Sequence, residues 1–334
     1  MSSEIKQQNK LVRKNSGAAL ISALFISALA ALLAIHMAYR QSMLINSVIQ
    51  TSNQQQLLAD YQAMQSWAID NLEKLALQNN GVINVLPESE LNKKLGGWNF
   101  KVAINDQQSY YNINSLAQQE NISPFAAWLQ VLDPLLDHDK ALTIAQEISE
   151  WVSSSPGSND EYYANLNPGY RIAHQPMLDV SELNLLRAFN TNDQQLLLLK
   201  KRIQSLTAAL PVDVQPNIWS INPDALSPFI QTAANQTGIS DSGFLQQFYS
   251  CRKQAIVSGS VKDTAMLFQC LGMGQQGANK LDLNQTQSNY FLISIRASQG
   301  NAIKYYTSLV NVALGSKNNA ITHVLWQRYF DGAN

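Results

Sequence analysis

The sequence predicts an α+β fold in which a long N-terminal helix leads an antiparallel sheet, and the sheet is interrupted by a large inserted all-α domain. Three observations carry this. An apolar run lies near the start, helical periodicity continues behind it without a proline, and strand-like alternation occurs both before and after a long helical block.

The apolar run, Ala18 to Ile35 (AALISALFISALAALLAI), holds no charge. At about 1.5 Å per helical residue it covers roughly 27 Å, close to the hydrocarbon thickness of a bilayer. Lys6, Lys10, Arg13 and Lys14 precede it and only Glu4 opposes them, the asymmetry that keeps a leading segment in the cytoplasm and sends the rest outward. On these grounds the segment is either a cleaved secretory signal with Ala28-Leu29-Ala30 as its cleavage site or an ordinary signal anchor.

Behind the run, Met43, Leu44, Val48, Leu57, Leu58, Tyr61, Met64, Trp67, Ala68, Leu72 and Leu75 recur at steps of three and four, with Gln, Asn and Ser between them. The membrane helix therefore continues as an amphipathic one. Val48, Leu57 and Met64 are candidates for contacts with neighbouring helices.

Strand periodicity begins at Trp98 to Ile104, and a second alternating run starts at Ser109-Tyr110-Tyr111-Asn112-Ile113. Around the polar Asn105 to Gln108 these read as a β-hairpin. A helical block follows: Ser123-Pro124 as the start of one helix, Asp139 as the cap of the next, then helices over Asp179 to Phe189 and Asn192 to Leu210, with another opening at Asn222-Pro223. Late strands are expected over 290–295, 303–312 and 323–329, where β-branched and aromatic residues concentrate.

Composition narrows the function. The chain has 334 residues, 14% of them charged, with a net charge of −1, which becomes about −4 if the first seventeen residues are removed. Such a balance disfavours phosphate-driven nucleic-acid binding. The two cysteines, Cys251 and Cys270, would be expected to pair in an oxidising compartment, two buried thiols being the alternative. The four histidines are scattered, and no HExxH, CxxC, GxSxG, Walker loop or strand-linked GxGxxG occurs, so no catalytic constellation is legible.

Several stretches resemble a known family. Arg13-Lys14-Asn15-Ser16-Gly17-Ala18-Ala19-Leu20 is similar to the leader of type IV pilins and type II secretion pseudopilins. Tyr111-Asn112-Ile113-Asn114-Ser115-Leu116, Pro168 to Leu183 (PGYRIAHQPMLDVSEL), Asn217-Ile218-Trp219-Ser220-Ile221-Asn222-Pro223 and Ser288-Asn289-Tyr290-Phe291 resemble, in this order, motifs of protein K of the type II secretion system, the largest minor pseudopilin.

The resemblance implies a pilin-like fold divided into a leader (1–17), an N-terminal helix (18–80, with 18–38 in the membrane), a head built from 81–115 and 280–334, and an inserted helical domain (116–279). It implies cleavage between Gly17 and Ala18 by a prepilin peptidase, N-methylation of Ala18, and a place at the tip of a periplasmic pseudopilus. Implied partners are minor pseudopilins I and J, then pseudopilin H, the major pseudopilin and the inner-membrane assembly platform. Pilin-like subunits usually carry a glutamate at the fifth mature position, where this chain has Ser22. A carboxylate at membrane depth needs a partner, so an uncharged fifth residue suits a subunit that docks on no earlier one, although any single-pass anchor tolerates serine. The family also implies calcium in the helical insertion, for which Glu150, Asp160 and Glu161 are the candidate ligands; Ser153 and Ser155 stand where the family pattern has aspartates.

Two alternatives are carried. A type IV minor pilin would share the leader and helix but not the insertion. A helix-hairpin-helix nucleic-acid module is loosely suggested by Ile221-Asn222-Pro223-Asp224-Ala225-Leu226, with Gly238-Ile239 as an approximate turn.

Overall fold

The computed structural model describes residues 2–78, 83, 90–154, 157, 159–226, 229, 241–259, 261, 264–273, 285–314 and 320–331. The chain divides into two compact units, Met1–Ala63 and Met64–Asn334. Helix α1 (Ser2–Gln78) is one continuous element. In the first unit it is long and apolar enough to cross a membrane, and side chains such as Leu20, Phe25 and Leu32 are exposed.

The second unit begins with the end of α1. Met64, Ala68, Leu72 and Ala76 recur every fourth position and are buried, which gives this stretch one apolar stripe. The stripe faces a five-stranded antiparallel sheet in the order β1-β2-β5-β6-β7, formed by β1 (Glu90–Leu95), β2 (Trp98–Asp106), β5 (Tyr290–Gln299), β6 (Ala302–Leu314) and β7 (Ala320–Asp331). Phe100, Val102 and Ile104 alternate on one face of β2, and Phe291, Ile293, Ile295 and Ala297 on the same face of β5. Tyr306 on β6 shares this face and donates its hydroxyl to Gln65 of α1 at 3.3 Å, while Glu73 of α1 accepts the Thr322 backbone N–H of β7 at 3.1 Å.

The hairpin expected within 98–113 is not formed. β2 pairs instead with β1 through a two-residue turn, Gly96-Gly97, whose φ values of 55° and 84° suit glycine. The chain then leaves the sheet because Asp106 accepts the Gln108 N–H and starts a 3₁₀ turn, and Asn112 repeats the device on Asn114. What remains of the second run is β3 (Tyr111–Asn112), which pairs in parallel with β4 (Thr207–Ala208).

Between β3 and β5 lie α2 (Ile122–Leu132), α3 (His138–Val152), α4 (Asp160–Ala164), α5 (Gln194–Leu206), α6 (Asp241–Val257) and α7 (Ala265–Cys270). α2 starts at Ile122 as a continuation of a preceding 3₁₀ turn rather than at a Ser123 cap. Asp137, not Asp139, caps α3 by accepting the Asp139 N–H. The expected helix over 179–189 is two 3₁₀ turns, Val180–Leu185 and Arg187–Phe189, since Asp179 and Glu182 both bond to local backbone and hold a tight turn. One hydrophobic core, extending from Tyr111 to Met273, unites these helices around Trp128, Trp219, Phe244 and Phe268.

Candidate functional site

No catalytic constellation was read from the sequence; the feature that organises this chain is the junction where the polypeptide leaves the sheet, enters the helical insertion and returns. Its centre is Asp106, at the end of the buried face of β2. The carboxylate accepts the Gln108 N–H at 2.8 Å, the Ser220 hydroxyl at 2.5 Å and the Ser288 hydroxyl at 2.6 Å. Burial raises the Asp106 pKa above the usual carboxylate value, and the three hydrogen bonds oppose that shift.

Around it the network closes. Ser288 accepts from the Asn217 side chain at 2.8 Å, and Asn217 donates its own N–H to the Gln108 carbonyl at 2.8 Å. The Gln108 amide donates to the Gln215 carbonyl at 2.8 Å and accepts the Asn289 N–H at 2.6 Å. The Asn222 N–H reaches the Ser109 carbonyl at 2.7 Å. Asp106, Gln108, Asn217 and Ser288 are buried, and apart from the local Gln108 N–H bond to Asp106 these bonds join segments from 71 to 182 residues apart, so satisfying one group fixes two distant stretches of backbone.

A second clasp stands beside the first. Asn112 donates to the carbonyls of Pro211 and Val214 at 2.8 and 3.0 Å, and Asn114 donates to those of Met177 and Leu210 at 2.9 and 2.8 Å while accepting the Met177 N–H at 2.8 Å. Tyr111, Ile113 and Leu116, before, between and after these asparagines, belong to the helical core. Glu182 holds the far side, accepting from the Leu178 N–H at 2.7 Å and from the Trp151 indole at 3.2 Å. The four motif stretches behind the family resemblance thus meet at one place. Asp106 and Gln108, which complete it, were not singled out in the sequence; the only local signal is the polar run Asn105 to Gln108 after an apolar strand.

The other predicted residues are dispersed. Gly17 and Ala18 lie within α1, and Ser22 is exposed on it. Val48 is 66% exposed, whereas Leu57 and Met64 are buried, which leaves Val48 as the free position of the three. Cys251 of α6 and Cys270 of α7 form a disulfide with Cα atoms 5.8 Å apart, tying a six-residue helix to its neighbour. Ile221, Ala225 and Leu226 are in the core, so the stretch compared with a helix-hairpin-helix offers no groove-reading surface; Gly238-Ile239 lies outside the described residues, as do Ser155 and the divisions at 80–81 and 279–280.

The carboxylates expected for calcium do not converge. Glu150 is clasped by Asn159, Asp160 contacts His174, and Glu161 is exposed. Among the described residues no three His, Cys, Asp or Glu side chains are grouped as a metal ion would require. These residues do not fit the ion.

Fold and junction together define a class: an α+β fold with a leading helix of membrane-crossing length and a block of helices between the strands of one antiparallel sheet. Residues 109–200 match the family model for protein K of the type II secretion system, a span that includes Asn112, Asn114, Met177 and Glu182. Among curated proteins the chain is similar to type II secretion system protein K of Aeromonas hydrophila, 27% identical over 160 residues (42% of this chain, 46% of that protein). The same-named protein of Pectobacterium carotovorum subsp. carotovorum is 30% identical over 142 residues (38% and 40%). These matches span less than half the length of either relative. A chain of the GspK-GspI-GspJ complex from enterotoxigenic Escherichia coli aligns with 82% of this chain and 99% of its own length, with a TM-score of 0.55 and 18% identity, which is a likeness of fold. The resemblance to protein K read from the sequence is borne out.

Proposed function

We propose that the protein is a minor pseudopilin of type II secretion, acting at the tip of the periplasmic pseudopilus and helping to initiate its assembly for export of folded proteins across the outer membrane. The observation that carries the reading is the placement of the protein K match on a helical domain inserted into a pilin-like head behind a membrane-length helix. In this reading a prepilin peptidase cuts after Gly17, Ala18 is N-methylated, and the helix from residue 18 stays in the inner membrane with the rest of the chain in the periplasm. Ser22 supports the tip position, because an uncharged residue there needs no neighbouring amine.

The partners are minor pseudopilins I and J, by analogy with the complex that the related fold forms, followed by pseudopilin H, the major subunit and the inner-membrane platform. The role is structural: the junction is built from satisfied backbone and side-chain bonds rather than from an exposed acid, base or nucleophile. Co-expression with the I- and J-type pseudopilins of the same secretion operon tests it. A stable complex recovered through a tag on this chain is expected, together with loss of secretion on deletion; normal secretion without the chain would defeat the proposal.

A further inference from the structure

After α3, the side chains of Glu150, Ser153 and Asp160 are each engaged by protein groups. Glu150 receives two bonds from one residue: the Asn159 backbone N–H on Oε1 and the Asn159 side-chain amide on Oε2, each at 2.7 Å. A Cβ placed on Gly157 would lie 1.8 Å from the same Oε1, so the glycine backbone already packs against that oxygen. Asp160 Oδ1 is 2.8 Å from His174 Nε2, and His174 is held at a φ of 45°. The Ser153 hydroxyl turns back to the Ser149 carbonyl at 2.6 Å.

Calcium requires six to eight oxygens converging at about 2.3 to 2.6 Å. Here the two carboxylates nearest the loop are directed at different nitrogen donors, and the serine hydroxyl at 153 is directed into its own helix. A charge-assisted hydrogen bond to a partly buried carboxylate supplies the same local compensation that a cation would, without requiring the carboxylates to approach one another.

We infer that this chain folds its helical insertion independently of calcium, the Asn159 clasp on Glu150 and the His174 contact on Asp160 standing in for the ion.

The test is thermal unfolding of the full chain in detergent micelles, followed by near-UV circular dichroism, in about 5 mM EGTA and in about 5 mM calcium chloride, a concentration that would load a weak extracellular-type site. The expected result is the same Tm within about 1 °C; a rise of about 3 °C or more in calcium would overturn the inference. Asn159→Ala is expected to lower Tm equally in both conditions. Recovery of the variant's Tm by calcium would show that an ion performs the task assigned to Asn159, and would also overturn it.

Discussion

Ser288 donates its hydroxyl to Asp106 at 2.6 Å across 182 residues of intervening chain. The last residue of one sheet strand is thereby tied to the residue that leads back into the next, with the helical domain accommodated between them. Ser220 joins the same carboxylate from inside the insertion. The carboxylate therefore couples three segments of the chain.

Asp106→Ala leaves the Gln108 N–H and two hydroxyls without their acceptor, and is expected to destabilise the head by about 2 to 4 kcal/mol in urea unfolding. Asp106→Asn retains an acceptor and costs less. The two variants also differ with pH. Because the folded pKa of Asp106 is raised, the native state holds this proton more tightly than the unfolded chain; its stabilising contribution is full below about pH 4 and is lost as pH rises through the folded value. The Asn variant has no such loss, so relative to wild type it should gain stability as pH increases toward neutrality.

Asn114→Leu preserves volume but strands the Met177 N–H and two carbonyls in the core. A loss of about 3 kcal/mol is expected, with the near-UV signal of Trp151 and Trp219 altered before that of the sheet. Equal loss of all signals would mean that the clasp has no local domain to hold.

Reduction of the Cys251–Cys270 disulfide, or the Cys251→Ser/Cys270→Ser pair, removes a closure of 19 residues. The chain-entropy estimate is about 3 kcal/mol, to be read as a shift in the urea midpoint with unchanged slope.

Gly97→Ala forces a side chain into a backbone at φ 84° and toward Gln299 Nε2, which would be 2.9 Å from the new Cβ. A cost of about 1 to 2 kcal/mol is expected, with amide exchange accelerated across β1 and β2 but not β6.

Much of the architecture was legible because it rests on periodicity. The apolar run and the stripe through Met64, Ala68 and Leu72 identify α1, and the β-branched runs near Ile293, Val310 and Val324 locate the late strands. β1 was missed: Glu90-Leu91-Asn92-Lys93-Lys94-Leu95 is an exposed edge strand with little apolar alternation, and its one clear signal was the Gly96-Gly97 turn. The hairpin was misassigned because Asp106 and Asn112 divert the chain through side-chain caps, which alternation does not register. The Asp106 junction escaped for another reason. Its partners Ser220 and Ser288 lie 114 and 182 residues away, and a single sequence carries no sign of which polar residues will share a buried site.

The proposed function requires the apolar helix to be retained after processing as a membrane anchor. Mass spectrometry of the N-terminus of the protein purified from membranes tests it most directly. A chain beginning at N-methylated Ala18 is expected. A chain beginning beyond the apolar run, near Ala31, or one still carrying residues 1–17, would contradict it.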